Sequence, residues 1–325
     1  MTRRIKSDAL KLLAWLACTV VLGAALAPLL FKAGKQFVEV AVGMRLLDDQ
    51  GSIYRVLTES GFGRYFNRAM LLAAVICLIP LVISLRLRRS DFGLQKNPRW
   101  AAHLSGGFAL AGGLLLLMGF VYLQMGLFRM HEEWSWSWSE TGKFLQQGFG
   151  ASILEEVLFR CVLLAVVMRT MRPLGAAFFV TFFFALVHFL VPPEGLEVSE
   201  ADVGYGTGFW MVGQIFARFG NPVFIAAEFA TLFMVGAVLA WSRLRTRSLW
   251  LGIGLHAGWV FCLKLYDYHT FVPKKYQPDL VLPYVGADLK SGIIPLTTVC
   301  LTGVLAALVL RICARNRNRG HAAEA

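Results

Sequence analysis

Charge is scarce in this sequence. Asp, Glu, Lys and Arg together make up 16% of its 325 residues, against about 25% in soluble domains. That deficit excludes the pair of soluble domains that length alone would allow, because too little polar surface is available to face water. Carboxylates are the rarer sign, 20 against 32 basic residues. Paired cysteines are also missing: Cys18, Cys77, Cys161, Cys262, Cys300 and Cys313 lie in or beside apolar runs, and none forms a CxxC. They read as small buried hydrophobes, and a disulfide framework or cysteine metal site is not expected. No HExxH, no GxSxG within an apolar run and no pair of aspartates inside such runs is present, which argues against zincin-like, serine and aspartyl intramembrane hydrolases. There is no internal repeat and no low-complexity tract.

What the chain has instead is apolar length. Hydrophobic residues make up 57% and the mean hydropathy is +0.60, so the solvent for most of this protein is lipid. Backbone groups in lipid must be satisfied internally, which leaves helices or a closed barrel. The runs are about 18–25 residues long and do not alternate apolar with polar, so helices fit and barrel strands do not. The reading is an all-α, polytopic transmembrane helix bundle of about eight spans, at roughly 10–31, 68–86, 103–125, 145–168, 174–191, 223–241, 249–266 and 291–312.

The net charge of +12 is spread in clusters beside these runs, which suits membrane loops and not a nucleic-acid surface. Arg86, Arg88 and Arg89, then Arg169 and Arg172, then Arg243, Arg245 and Arg247, then Arg311, Arg315, Arg317 and Arg319 follow every second span, and Arg3, Arg4 and Lys6 precede the first. The alternate connections hold Asp48, Asp49, Glu132, Glu133, Glu194, Glu197, Glu200 and Asp202. The positive-inside rule then places both termini in the cytoplasm, with a bacterial inner membrane as the expected location. The start imitates a signal peptide, with Ala25-Leu26-Ala27 resembling a cleavage site, but the run has full span length and Pro28 follows, so an uncleaved span is expected. Trp134, Trp136 and Trp138 alternate with serines before span four and read as an interfacial belt. Gly204 to Asn221 is apolar, glycine-rich and short for a crossing, and reads as interfacial or re-entrant.

Chemistry concentrates where ions enter the apolar runs. Span four contains Leu154-Glu155-Glu156-Val157-Leu158-Phe159-Arg160, and each charge costs about 2.5–3.5 kcal/mol at mid-bilayer. Glu156 and Arg160 are four apart and can pair on one face. Glu155 is rotated by about 100° from its neighbour and is left to point into a cavity, as a general base or metal ligand. Span five carries Phe184 and His188, and span seven carries Gly254-Leu255-His256-Ala257-Gly258. A lone histidine in an apolar helix is more often a packed residue than a ligand. Two histidines and a glutamate pair on three spans point to a shared interior site, although Glu155, His188 and His256 differ by roughly 10 Å along the normal on this reading. Glu228 in span six reads as an interfacial carboxylate or as a liner of the same cavity.

Glu155-Glu156-x-x-x-Arg160, Phe184-x-x-x-His188 and His256 in its Gly-Leu-His-Ala-Gly setting resemble the three motifs of the CPBP family, which groups type II CAAX prenyl endopeptidases with Abi-like proteins. The resemblance covers roughly 145–265. It implies a hydrolase, an intramembrane endopeptidase whose catalytic residues are Glu155, Glu156, Arg160, His188 and His256. Glu155 and His188 activate a water, and His256 binds metal or stabilises the oxyanion. A divalent metal such as zinc, where one is used, falls to Glu155, His188 and His256, with Phe184 and Glu228 in support. The chain divides on this reading into a three-span region at 1–144, the CPBP-like core at 145–266, and a loop, last span and basic tail at 267–325.

One position departs from the family. Asn or Asp usually stands four residues after the third-motif histidine, and here it is Val260, which donates no hydrogen bond to an oxyanion. Gln146, Gln147 and Glu228 are the candidate substitutes. The alternatives are an inactive membrane immunity or scaffold protein, which Val260 favours, and a proton-coupled transporter, which predicts repeats that are not seen. The expected partners are the lipid bilayer and a membrane-associated or exported peptide or protein substrate.

Overall fold

The structure is a computed structural model. It describes residues 2–46, 48, 51, 54, 57–86, 92, 94–133, 135–193, 195–217, 222–276 and 282–323, without the side chains of 2–9, 222–225 and 316–323. Trp134, Asp49, Arg88, Arg89, Glu194 and the side chains of Arg3, Arg4, Lys6, Arg317 and Arg319 therefore lie outside the described residues. The chain is all-α, with helices α1 (Thr2–Gly43), α2 (Phe62–Ser84), α3 (Trp100–Gln124), α4 (Trp138–Glu155), α5 (Leu164–Val167), α6 (Pro173–Val187), α7 (Thr207–Ala217), α8 (Pro222–Thr246), α9 (Trp250–His269) and α10 (Ile293–Ala323). A π-helical stretch, Glu156–Leu163, joins α4 to α5. The described strands are two short ones, β1 (Arg129–Met130) and β2 (Thr270–Phe271), paired antiparallel.

Among the described residues five helices are long and apolar enough to cross a membrane: Leu10–Gly43, Phe62–Ser84, Trp100–Gln124, Ala226–Thr246 and Ile293–Arg315. The other three expected spans are the rod α4–π–α5, the 15-residue α6 and the 20-residue α9. These three carry the Glu pair and Arg160, Phe184, and His256. Two of them miss the apolar criterion because charged residues lower their hydropathy, Glu140, Lys143 and Glu155 in α4 and Lys264 and Asp267 in α9, and α6 misses it by length. The first helix runs well past the expected end at residue 31, since Pro28 sits inside α1 without stopping it.

Close packing divides the chain into two compact units, Met1–Leu87 with Val187–Asn221, and Arg88–Leu186 with Pro222–Ala325. In the first, α1 and α2 form an antiparallel hairpin. Trp15 Nε1 donates to the carbonyl of Ala74 at 3.3 Å, and Phe31 meets Tyr65 edge-on at 5.3 Å. The expected short segment becomes α7, 11 residues long, or about 16 Å at the helical rise. Its Gly208 abuts the Ala24 carbonyl in mid-α1, and Met211 and Ile215 join Ala27 and Phe31 in the core. A helix too short to cross, docked on the middle of a span, is the arrangement expected of a re-entrant segment.

The second unit is organised by α9, whose residues 251–259 are all buried. Gly254 abuts the carbonyl of Leu104, and Gly258 that of Phe108. A Cβ on Gly107 would lie 3.0 Å from Leu251 O, and one on Gly112 2.7 Å from Cys262 Sγ. Small residues on both helices thus let the α3 and α9 backbones touch, the usual device for association in lipid. The pairings rise together along both chains, so α3 and α9 run parallel. Gly148 meets Ala257 and Phe261, while Gly252 meets Glu156, so α4 runs against α9. These directions are the ones that successive crossings require of spans three, four and seven.

Candidate active site

The Glu pair arrives on a helix with a well-defined start. Ser137 Oγ accepts from Glu140 N at 3.3 Å in the serine-x-x-glutamate pattern of a capping box. Five turns on, the α-helical ladder gives way to the π-helical stretch, which begins at Glu156 and contains Arg160. π-helical turns are rare and occur frequently at functional sites.

Glu156 and Arg160 are both fully buried, with Nη1 3.2 Å from Oε1. Arg160 also points Nη2 at Gly236 O of α8, 3.4 Å away, and stacks on Phe184, its Cζ 4.1 Å from the ring centre. Phe184 in turn sets its ring 6.2 Å from that of His256, at 79°. The guanidinium is therefore held by a carboxylate, a carbonyl and an aromatic face. These contacts offset part of the cost of burying the charge, although Arg160 Nε and Nη1 and both Glu156 oxygens make no hydrogen bond among the described residues.

His256 closes the cluster. Its Nδ1 lies 3.4 Å from Glu156 Oε1 and its Nε2 3.8 Å from Glu155 Oε2. The two carboxylates differ in access: the Glu155 side chain is 27% exposed and that of His256 6%, while Glu156 has none. One acid is sealed against Arg160; the other is partly exposed, although the oxygen it turns to the imidazole is itself buried. At 3.8 Å, Nε2 and Oε2 face each other beyond hydrogen-bonding distance.

Two features here had no mark in the sequence reading. Gly252 lies one turn before His256, and a Cβ there would fall 2.8 Å from Glu156 Oε2 and 3.2 Å from Ser242 Oγ. Its absent side chain is the space that Glu156 occupies. Gly236 offers Arg160 its backbone oxygen, and a Cβ on it would press on Phe184 and Thr181 at 3.1 Å. Small residues one turn from a polar residue are a usable signal for the first; nothing local marks the second.

The remaining expected residues stand as follows. The expected span five, 174–191, ends early: α6 stops at Val187, and His188 falls in the following turn, where Leu190 N bonds Val187 O at 3.0 Å. Pro192 and Pro193 explain the stop, since neither can continue a helix and the residue before a proline avoids helical angles. His188 belongs to the first unit. Glu228 stands 4.0 Å from Lys290 Nζ, and Lys290 stands 3.6 Å from Asp288. Glu228 precedes Gly236 by about 12 Å of helix, so it is placed with that cluster and not with the Glu pair. Gln146 and Gln147 are exposed. Among the described residues no three His, Cys, Asp or Glu side chains gather as a metal-holding group. Glu155 and His256 supply two donors of the type zinc accepts, short of the three protein ligands of catalytic zinc sites; by itself the pair does not fit that metal.

Residues 137–262 match the family model described as Rce1-like, type II CAAX prenyl endopeptidase Rce1-like. The family recognised from the motifs and the family matched are the same, and the matched segment contains Glu155, Glu156, Arg160, Phe184, His188 and His256. No curated protein and no solved structure matches the chain.

Proposed function

We propose that this integral membrane protein is an intramembrane endopeptidase that hydrolyses a peptide bond of a membrane-associated or exported substrate, with Glu155 as the base. The observation that carries the reading is the division of labour in the glutamate pair: Glu156 sealed against Arg160, Glu155 partly open beside His256 Nε2. The family match over the same segment supports it.

The chemistry follows from these placements. A water held by the Glu155 carboxylate beside His256 gives its proton to Glu155 as its oxygen attacks the scissile carbonyl carbon. The carbon–nitrogen bond of the tetrahedral intermediate then breaks, and the proton held by Glu155 passes to the leaving amine. Such general acid–base transfer is worth about 10²–10⁴ in rate. Glu156 stands 3.4 Å from Nδ1 of His256 without a hydrogen bond to it, and its charge favours the ring proton on that side, which presents Nε2 to the water. The buried Glu156–Arg160 pair thereby orients the imidazole without touching substrate. The resemblance assigns His188 to the same water. No step in this scheme passes through a metal.

A cleavage assay in liposomes on membrane-anchored candidate peptides tests the proposal. Wild type cleaves; Glu155→Gln, His256→Ala and His188→Ala do not, and Glu155→Gln remains folded. Equal cleavage by wild type and Glu155→Gln ends the reading. Val260 favours a second one, an inactive immunity or scaffold protein, which requires that Glu155→Gln keep its biological effect. The basic loops orient both termini to the cytoplasm of a bacterial inner membrane. Cysteine labelling beside His188 from the outer side only is the matching result, and labelling from the cytoplasm alone overturns that orientation.

A further inference from the structure

One oxygen links the buried ion pair to the imidazole. Glu156 Oε1 lies 3.2 Å from Arg160 Nη1 and 3.4 Å from His256 Nδ1, so a shift of the guanidinium moves the atom that His256 faces. None of these three atoms has a hydrogen-bond partner among the described residues. Their register is therefore not set by hydrogen bonds to one another.

Phe184 of α6 touches both ends of this row. Arg160 Cζ stands 4.1 Å over the centre of its ring. The same ring lies 6.2 Å from the imidazole at 79°, within the usual span of edge-to-face aromatic contacts. Arg160, Glu156, His256 and Phe184 thus close a loop of four side chains drawn from the π-helical stretch, α6 and α9. A ring face attracts a cation, most strongly where water is excluded, and a guanidinium stacks flat on it. Phe184 is 1% exposed and Arg160 0%. Helix α8 leaves room for the ring at this place: a Cβ on Gly236 would fall 3.1 Å from Phe184 Cδ1, and the carbonyl of that glycine is the one Arg160 Nη2 points at. Leucine could fill the volume of Phe184 but would offer no π face. Phe159 also lies beside the guanidinium, at the longer distance of 5.7 Å.

We propose that Phe184 is a positioning residue for peptide-bond hydrolysis. Its π face fixes the plane of the Arg160 guanidinium, and through Glu156 Oε1 and its own contact with the imidazole it sets where His256 Nε2 lies relative to Glu155. This rests on the endopeptidase reading and gives α6 a part in aligning residues carried by α4, the π-helical stretch and α9.

The test replaces Phe184 in the full chain by 4-fluoro-, 3,5-difluoro- and 3,4,5-trifluorophenylalanine, which withdraw electron density from the ring face in steps while nearly keeping its shape. Wild type and Glu155→Gln run alongside in the same liposomes. The expected result is a stepwise fall in kcat per folded molecule, reaching about tenfold at three fluorines, with KM unchanged. The same series at Phe159 is expected to lose less. In the Glu156→Leu, Arg160→Met double variant, which has no cation over the ring, the series is expected to leave the thermal midpoint in place. A kcat per folded molecule that fluorination does not lower, an equal loss in the Phe159 series, or a midpoint that falls as far without the cation as with it overturns the proposal while the endopeptidase reading stands. Wild-type cleavage that Glu155→Gln leaves intact, or no cleavage at all, removes that reading and this inference with it.

Discussion

His256 turns one ring nitrogen toward each member of the glutamate pair, Nδ1 at 3.4 Å from Glu156 and Nε2 at 3.8 Å from Glu155. The imidazole is the hinge between a sealed ion pair and an accessible carboxylate. Removing one glutamate should therefore have a different consequence from removing the other.

Glu155→Gln is expected to abolish cleavage and to move thermal unfolding little, because its side chain is partly open. Glu156→Gln leaves Arg160 buried without a countercharge, and breaking such a pair costs about 3–5 kcal/mol. Unfolding in detergent separates the two variants. Equal stability in both would contradict the division of roles.

Replacing both members, Glu156→Leu with Arg160→Met, is expected to recover most of that stability, since an apolar pair of similar size removes the uncompensated charge. Activity should not return, because Nδ1 of His256 has lost the carboxylate that stands 3.4 Å from it. A double variant that folds and cleaves like wild type would show that the pair has no part in orienting the imidazole.

Gly252→Ala sets a methyl group 2.8 Å from Glu156 Oε2. Overpacking of this kind costs about 1–3 kcal/mol, and the displaced carboxylate carries His256 with it. The expected outcome is a clear drop in kcat together with a lower thermal midpoint. Gly113→Ala serves as the control, since nothing lies within 4 Å of a Cβ there. Wild-type kcat in Gly252→Ala would remove the glycine from the site.

Gly254→Leu and Gly258→Leu test the scaffold. Both glycines abut α3 carbonyls, so a leucine at either forces α3 and α9 apart and shifts His256, which α9 carries, relative to the glutamate pair. Each variant is expected to fold poorly, read as loss of the monodisperse peak on size exclusion. Normal behaviour of both would refute the close α3–α9 approach.

Metal removal gives the last prediction. Glu155 and His256 provide two donors, fewer than the three protein ligands usual at a catalytic zinc, and cleavage is expected to persist in excess chelator. Loss of activity that zinc restores would assign the pair to a cation, whose bound water would then be acidified by the metal.

The sequence alone determined the membrane solvent, the helical class and the ions worth attention. Hydropathy and charge are sums over neighbours in the chain, and the Glu156–Arg160 pair follows from helical spacing that brings residues four apart onto one side. The π-helical stretch that carries this pair was not legible, because a shift in backbone hydrogen bonding leaves no mark in residue type. Nor was the early end of α6 recognised, although Pro192 and Pro193 stood in plain view.

Tertiary structure decided which faces meet. That Gly252 vacates the volume of Glu156, that Gly236 lends its oxygen to Arg160, and that His256 divides its nitrogens between two acids depend on how each helix is rotated about its axis against its neighbours. Helical pitch is a property of one segment and can be read from it. Rotation and approach between segments are set by side chains from several helices competing for the same space, and no single stretch of sequence contains that information.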